Sequence, residues 1–184
     1  MARPVSGTIS MNGLEEKVTI RALRPEEYPL LADLLYEAIF VPEGAEVPPR
    51  AVVHDLALSG YWAAFGSRPG DRALCAVAPE GVVGAVWARR MRGYGFVADD
   101  VPELAMALWP AWRGRGLGTR LLQALLRQLR GEGVRQVSLS VQRANRAAWR
   151  LYERNGFRIV REEQGECILV RDLDCGVEMN GKRK

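Results

Sequence analysis

Apolar and polar residues alternate along residues 17–23 (KVTIRAL), and a period of two is typical of a half-buried strand. Pro25 then suits the first turn of a helix. The apolar positions after it recur at helical spacing: Leu30, Leu31, Leu34, Leu35, Ala38 and Ile39. The folded part of the chain is therefore predicted to begin with a strand and a helix.

Residues 41–49 (VPEGAEVPP) are too rich in proline and glycine to continue that helix. Apolar positions beyond them predict a second, short helix, and the loop itself is a candidate lid over an acceptor. Two apolar runs follow, ALCAVA and VVGAVWARRM, and only Pro79, Glu80 and Gly81 separate them. These runs predict two antiparallel strands joined by a tight turn.

The second half of the chain interleaves strands and helices. Residues 104–108 (LAMAL) predict a short strand that ends before Pro110, and a glycine-rich turn leads from it into a long helix. One face of that helix is marked by Leu117, Leu121, Leu122, Leu125, Leu126 and Leu129. A strand (RQVSLSVQ), a helix (ANRAAWRLYERNG) and a hairpin (FRIVRE with ECILVRDL) follow. The predicted fold class is α/β, with a mixed sheet flanked by helices rather than a doubly wound sheet.

The composition fits one ordinary domain, because 184 residues of which 48% are hydrophobic can fill a single core. No run approaches the ~20 apolar residues that span a bilayer, and the first residues lack the pattern of a signal peptide, so we expect a cytoplasmic protein. The three cysteines form no C-x-x-C pair and His54 is the only histidine, so a zinc site is not expected. Cys75 and Cys167 lie in apolar runs and are predicted to be small buried hydrophobes.

The formal net charge of +4 owes three charges to Lys182, Arg183 and Lys184 at the C-terminus. A local excess of arginine remains between Arg113 and Arg130, and a polyphosphate ligand explains it as well as nucleic acid does. The leucines among these arginines belong to a core face, and no row of aromatic residues accompanies them. Nucleic acid is therefore the weaker alternative.

The glycine-rich turn is the chemically most informative segment. It reads Arg113-Gly114-Arg115-Gly116-Leu117-Gly118 between the apolar strand and the long helix. Glycines there let backbone N–H groups approach a ligand closely, and a helix N-terminus favours an anion. A dinucleotide fingerprint also needs a third glycine at its set spacing and an acidic residue roughly 20 positions further on, and both are missing. The G-K-[ST] of a P-loop is missing as well. By itself the segment also fits a plain strand-to-helix turn.

With its surroundings, WRGRGLGTRLLQALL resembles the R/Q-x-x-G-x-G/A signature of the GNAT superfamily of N-acetyltransferases. A second match lies downstream, to the superfamily's N-x-x-A-x-x-L-Y-E-x-x-G-F pattern: Asn145, Ala148, Leu151, Tyr152, Glu153, Gly156 and Phe157. The runs YWAAFGSRPGDRALCAV, VGAVWARR, PELAMAL and LSVQRAN are similar to a bacterial subgroup of that superfamily. The resemblance implies an N-terminal extension (1–16), a GNAT domain (17–174) and a basic tail (175–184).

The resemblance also implies a largely antiparallel sheet of about six or seven strands, in which two parallel strands, here 104–109 and 135–142, splay apart around the pantetheine arm of acetyl-coenzyme A. The acetyl donor is a co-substrate, and no metal is expected. The residues that the resemblance assigns to it are Ala107, Leu108, Trp109, Arg113, Gly114, Arg115, Gly116, Leu117, Gly118, Thr119 and Asn145. Asn145 also fits an ordinary helix N-cap.

The family reaction is direct attack of a neutral amine on the thioester, which needs a base for the amine and an acid for the leaving thiolate. Tyr152 matches the tyrosine that protonates the sulfur in many relatives. Glu103 opens the first splayed strand and is the candidate base or ammonium anchor; a water chain to Asp99 or Asp100 is the alternative. Ser140 stands where peptide N-terminus acetyltransferases often carry a glutamate, so a small-molecule amine is the favoured acceptor.

Residues of the expected acceptor pocket are Tyr61, Trp62, Asp71, Trp87 and Arg89, since aromatics with a few charges suit a small amine. For Trp62 and Trp87 core packing is the competing interpretation. A homodimer is an expectation from relatives, and neither nucleic acid nor a membrane is an expected partner. The rival function is an acetyl-coenzyme A-binding regulator that has lost its chemistry. The sequence does not identify the acceptor, and it leaves longer acyl groups open.

Overall fold

The computed structural model describes residues 18–173, and its elements follow the predicted order. The strands are β1 (Thr19–Ala22), β2 (Arg72–Ala78), β3 (Gly81–Arg89), β4 (Glu103–Leu108), β5 (Gln136–Gln142), β6 (Arg158–Glu163) and β7 (Glu166–Asp172). The helices are α1 (Leu30–Ala38), α2 (Leu56–Ser59), α3 (Leu117–Gly131) and α4 (Arg146–Arg154). Single 3₁₀ turns lie at Pro25–Glu27, Arg50–His54 and Pro110–Trp112.

The seven strands form one sheet in the order β1-β2-β3-β4-β5-β7-β6. Every neighbouring pair is antiparallel except β4 and β5, which are parallel. The mixed, largely antiparallel sheet with parallel strands 4 and 5 confirms the predicted fold class. The two extreme segments of the predicted domain division, 1–16 and 175–184, lie outside the described residues.

Helix α3 covers one face of the sheet with the leucine stripe that the sequence marks. Its fully buried positions are Leu121, Leu122, Leu125 and Leu129. They pack with residues from the strands, among them Val86, Val137 and Leu169. This face holds Cys167, while Cys75 packs on the opposite face, and both thiols are completely buried. The prediction of two small buried hydrophobes is therefore confirmed.

Helix α1 and the loop that follows it cover the opposite face. Leu31, Leu34, Phe65 and Trp87 form the centre of this second cluster. The predicted first helix differs in one respect, because a 3₁₀ turn at Pro25–Glu27 precedes α1 instead of continuing into it. Pro29 is the reason, since a proline has no N–H to extend the hydrogen-bonded ladder.

No helix in residues 18–173 is both long and apolar enough to cross a bilayer. No cluster of three or more His, Cys, Asp or Glu side chains there has the arrangement of a metal site.

Candidate active site

Strands β4 and β5 touch at one point and then separate. Their pairing consists of Glu103 opposite Ser138, supported by a hydrogen bond from the Ser138 N–H to the Pro102 carbonyl at 3.1 Å. The far edge of β5 stays paired with β7 over its whole length. The strands therefore enclose a gap that begins beside Glu103 and widens toward the glycine-rich turn.

The register of β4 against β3 determines which backbone groups line this gap. The Trp109 N–H donates to the Val83 carbonyl on β3 at 3.0 Å, so by the alternation of an antiparallel ladder Ala107 also points its N–H and C=O toward β3. The backbone groups of Met106 and Leu108 face β5 instead. Of the predicted residues 107–109, only Leu108 thus lines the gap, and Met106 joins it.

The glycine-rich turn presents a row of free donors. Gly114 and Gly116 have φ values of +73° and +76°, a region that glycine enters without strain. From Gly114 to Thr119, no backbone N–H donates to another group among residues 18–173, and the first bond of α3 runs from the Arg120 N–H to the Gly116 carbonyl at 3.1 Å. Six consecutive free amides at the N-terminus of a 15-residue helix form an anion cradle.

The arginines around the turn have different tasks. Arg113 donates to the Leu108 carbonyl at 3.0 Å and to the Glu37 carboxylate of α1 at 2.9 Å, so its side chain ties the turn to the protein. Arg115 stacks on Trp112 with its guanidinium 5.0 Å from the ring centre. A cavity of about 100 Å³ lies beside it, and its lining includes Arg120. Of the two predicted phosphate contacts, Arg113 and Arg115, it is therefore Arg115 whose charge remains available for a ligand.

Helix α4 carries the two residues of the second motif. The Asn145 side chain caps the helix, since its Oδ1 accepts from the Ala148 N–H at 3.2 Å. Tyr152 packs edge-on to Phe157 with ring centres 5.5 Å apart. Burial raises the pKa of Tyr152 to about 12, so its hydroxyl keeps its proton at neutral pH and is available as an acid.

Glu103 is a buried carboxyl without a cationic partner within the described part of the chain. Glu103 is only 2% exposed. Oε1 accepts hydrogen bonds from the Tyr61 hydroxyl and from the Gly95 N–H at 2.7 Å, while Oε2 has no partner there. Burial raises the pKa of Glu103, an effect that the Tyr61 hydroxyl and the Gly95 and Gly93 N–H groups partly offset. A carboxylate with a raised pKa is a stronger base than an exposed one.

The alternative carboxylates have other surroundings. Asp99 forms an ion pair with Arg92 at 3.0 Å, and both side chains are about three-quarters exposed. Nothing in the described contacts connects this pair to the gap between β4 and β5. Glu103 is therefore the better-placed acid–base group.

The five predicted acceptor residues lie close together but have structural contacts. Asp71 and Arg89 form a buried ion pair at 2.8 Å. Trp87 is fully buried and donates to the Tyr61 carbonyl at 3.1 Å, while Trp62 donates to the Val53 carbonyl at 2.9 Å. Tyr61 alone reaches the site, because its hydroxyl bonds Glu103. The other four make structural contacts, and the role of the group in binding an acceptor stays a prediction.

Comparison with known sequences agrees with this geometry. The sequence model of the acetyltransferase (GNAT) family matches residues 34–157, which include the gap, the cradle and α4. The chain belongs to the acetyltransferase (GNAT) family. This is the family that the two motifs predicted.

Individual relatives of this GNAT chain are distant. Mycothiol acetyltransferase from Corynebacterium glutamicum is 38% identical over 71 residues, which are 36% of this chain and 24% of that protein. The chain thus spans about a quarter of the length of the curated relatives it matches.

Solved structures share the GNAT fold over most of the chain. PaiA N-acetyltransferase from Thermoplasma acidophilum, in complex with coenzyme A, has a TM-score of 0.63 at 20% identity and covers 84% of this chain and 98% of its own. A phosphinothricin acetyltransferase from Sinorhizobium meliloti, in complex with acetyl-coenzyme A, has a TM-score of 0.62 at 19% identity, with 85% and 88% covered. These likenesses concern the fold.

Proposed function

We propose that this chain transfers the acetyl group of acetyl-coenzyme A to a primary amine of a small-molecule acceptor, by direct attack within a ternary complex. The observation that carries the proposal is the buried Glu103 carboxyl, which lies where β4 and β5 diverge and has one oxygen without a partner in residues 18–173. Glu103 lies at the closed end of the gap, where the thioester of the donor would lie. The anion cradle lies at the open end, where the pyrophosphate of the donor would lie.

The residues present fit the acetyl donor. The free amides from Gly114 to Thr119 would bind its pyrophosphate, with Arg115 adding a charge-assisted contact. The outward N–H and C=O of Met106 and the N–H of Leu108, whose carbonyl accepts from Arg113, would pair with its pantetheine amides as an added strand does. When bound, the donor supplies an electrophilic thioester carbonyl and a thiolate leaving group.

Glu103 would accept the proton that the acceptor ammonium must lose before its nitrogen is nucleophilic. Its pKa is raised by burial, which narrows the gap to the pKa of an amine and makes the proton transfer more favourable than to an exposed carboxylate. Tyr152 would return a proton to the departing sulfur, because its hydroxyl stays protonated at neutral pH. The nitrogen loses a second proton as the amide forms, and this proton would return to the Tyr152 oxygen, while the proton taken up by Glu103 would leave to solvent.

Two observations favour a small acceptor over a peptide N-terminus. Ser140 occupies the β5 position where relatives that modify peptide N-termini often carry a glutamate. Two curated relatives are named mycothiol acetyltransferases, and the match spans about a quarter of their length. We therefore propose a small amine as the substrate class and leave its identity to experiment.

The test is release of free thiol from acetyl-coenzyme A against a panel of amino acids, polyamines, aminoglycosides and short peptides. We expect selective turnover with one small-amine class and a large loss in Tyr152→Phe. Tight coenzyme binding without turnover on any amine would instead favour the regulator function. Preferential turnover of short peptides would overturn the proposed substrate class.

A further inference from the structure

Tyr61 is the centre of a short chain of hydrogen bonds that ends on Glu103. The Tyr94 N–H donates to the Tyr61 hydroxyl oxygen at 3.0 Å, and that hydroxyl donates to Glu103 Oε1. The Gly95 N–H donates to the same Oε1 at 2.7 Å. One carboxylate oxygen is therefore held by two donors, while Oε2 has no partner in the described chain.

Residues 93–95 lie directly against this carboxylate. A Cβ on Gly93 would be 2.6 Å from Glu103 Oε2 and 2.5 Å from the Tyr61 hydroxyl oxygen. A Cβ on Gly95 would be 2.8 Å from the Ser140 backbone nitrogen on β5. Both separations are too short for real atoms, so only glycine lets this segment approach both Glu103 and β5.

We propose that Tyr61 is a positioning residue for Glu103, which it orients so that Oε2 is the oxygen that accepts the proton of the acceptor. The inference rests on the proposed function and adds to it the group that aims the base. The two carboxylate oxygens of Glu103 have different surroundings. Two donors fix Oε1, so the carboxylate cannot rotate freely, and the proton is accepted on Oε2.

The charged and titratable groups that face Glu103 are few. Tyr61 faces it from the loop after α2, and Glu166 on β7 adds a weak repulsion that favours the protonated carboxyl. Arg89 is its neighbour on β3, but Asp71 and three backbone carbonyls take up its guanidinium. The Tyr61 hydroxyl is therefore the dominant side-chain group that stabilises the ionised carboxylate.

The experiment is a carboxyl ¹³C NMR titration of the full chain labelled in glutamate, with Glu103 assigned from the signal lost in Glu103→Gln. Tyr61→Phe keeps the buried ring and removes the hydroxyl, and we expect the pKa of Glu103 to rise by roughly one unit. Tyr94→Phe is the matched control, since only the backbone N–H of Tyr94 takes part, and it should leave the pKa unchanged. An unchanged pKa in Tyr61→Phe would overturn the inference.

Turnover with the panel amine that gives the fastest thiol release supplies the second readout. Tyr61→Phe should lower kcat about tenfold, move the acidic limb of the pH profile to higher pH and leave coenzyme affinity unchanged. Gly93→Ala should also lose turnover, because its methyl group fills the space beside Oε2. Full turnover of Glu103→Gln would overturn the base and with it the inference, whereas loss in Glu103→Gln with a normal Tyr61→Phe profile would overturn the role of Tyr61 alone.

Discussion

Asp71 and Arg89 form a two-pronged ion pair in the interior, with Arg89 Nε on Oδ1 at 2.9 Å and Nη2 on Oδ2 at 2.8 Å. The side chains are 2% and 1% exposed. The same guanidinium donates to the carbonyls of Gly60, Ala63 and Ala64, so the pair closes the loop that carries Tyr61. Its distance from solvent gives it a structural rather than a substrate-binding role.

Removing one member of this pair should destabilise the fold strongly. Arg89→Met leaves the Asp71 carboxylate buried without its cation, and we expect the free energy of unfolding to fall by about 3–5 kcal/mol. Urea denaturation measures it. The exposed pair of Arg92 and Asp99 is the matched control, and Arg92→Ala should cost less than ~1 kcal/mol. Equal losses in the two variants would contradict the structural role.

Gly116 should be required for the donor cradle rather than for folding. It caps α3 at a φ of +76°, where alanine costs about 1–2 kcal/mol. We expect Gly116→Ala to weaken coenzyme A binding at least tenfold by isothermal titration calorimetry. Gly131→Ala, at the other end of the same helix, should leave affinity unchanged. Equal affinity of both variants would place the pyrophosphate elsewhere.

Glu103 should make the protein less stable as pH rises. Its folded pKa is raised by burial, so its protonated form is favoured in the fold, and the stability it contributes is present below the unfolded pKa of ~4.3 and lost as pH rises through the folded value. Glu103→Gln should therefore unfold at a higher temperature than the wild type at pH 8, with the difference shrinking toward pH 4. Parallel melting curves across this range would contradict a buried, ionisable Glu103.

Tyr152 should act on turnover and not on donor binding. Tyr152→Phe keeps the edge-on contact with Phe157 but removes the proton for the sulfur, and general acids contribute roughly a hundredfold or more. We expect kcat to fall by about that factor with coenzyme affinity within twofold of the wild type. Because the pKa of Tyr152 is about 12, wild-type turnover should show no loss of this acid up to pH 9. A variant with normal kcat would exclude Tyr152 as the acid.

The apolar periodicity of the sequence predicted the helices and strands well, because the residues that it groups lie on one face of an element in the fold. The leucine stripe of α3 corresponds to the face that the structure buries, whereas the burial of β1 does not follow its alternation, since Arg21 is half-buried and Ala22 is exposed. The motif spacing likewise identified the glycine turn and α4. Each of these signals lies within one element, where sequence distance fixes spatial distance.

Contacts between distant segments could not be predicted in the same way. The partners of Glu103 are Tyr61, 42 positions away, and Gly95 on a loop that the sequence marked only as irregular. The backbone groups of Met106 face the gap because of the register between β4 and β3. A single apolar run in the sequence does not specify that register. The charges of Asp71 and Arg89 suggested a binding pocket. Their ion pair could not be predicted, because only the fold brings the two side chains together.

The most direct test of the central claim is mass-spectrometric detection of the acetylated amine formed from acetyl-coenzyme A by the wild type and by Glu103→Gln, each with its coenzyme affinity measured. We predict an N-acetyl product from the wild type, and at least a hundredfold less from the variant at equal coenzyme affinity. An equal yield of product from both proteins, or no N-acetyl product with any amine, would contradict the assignment of Glu103 at the β4–β5 divergence as the base of an amine acetyltransferase.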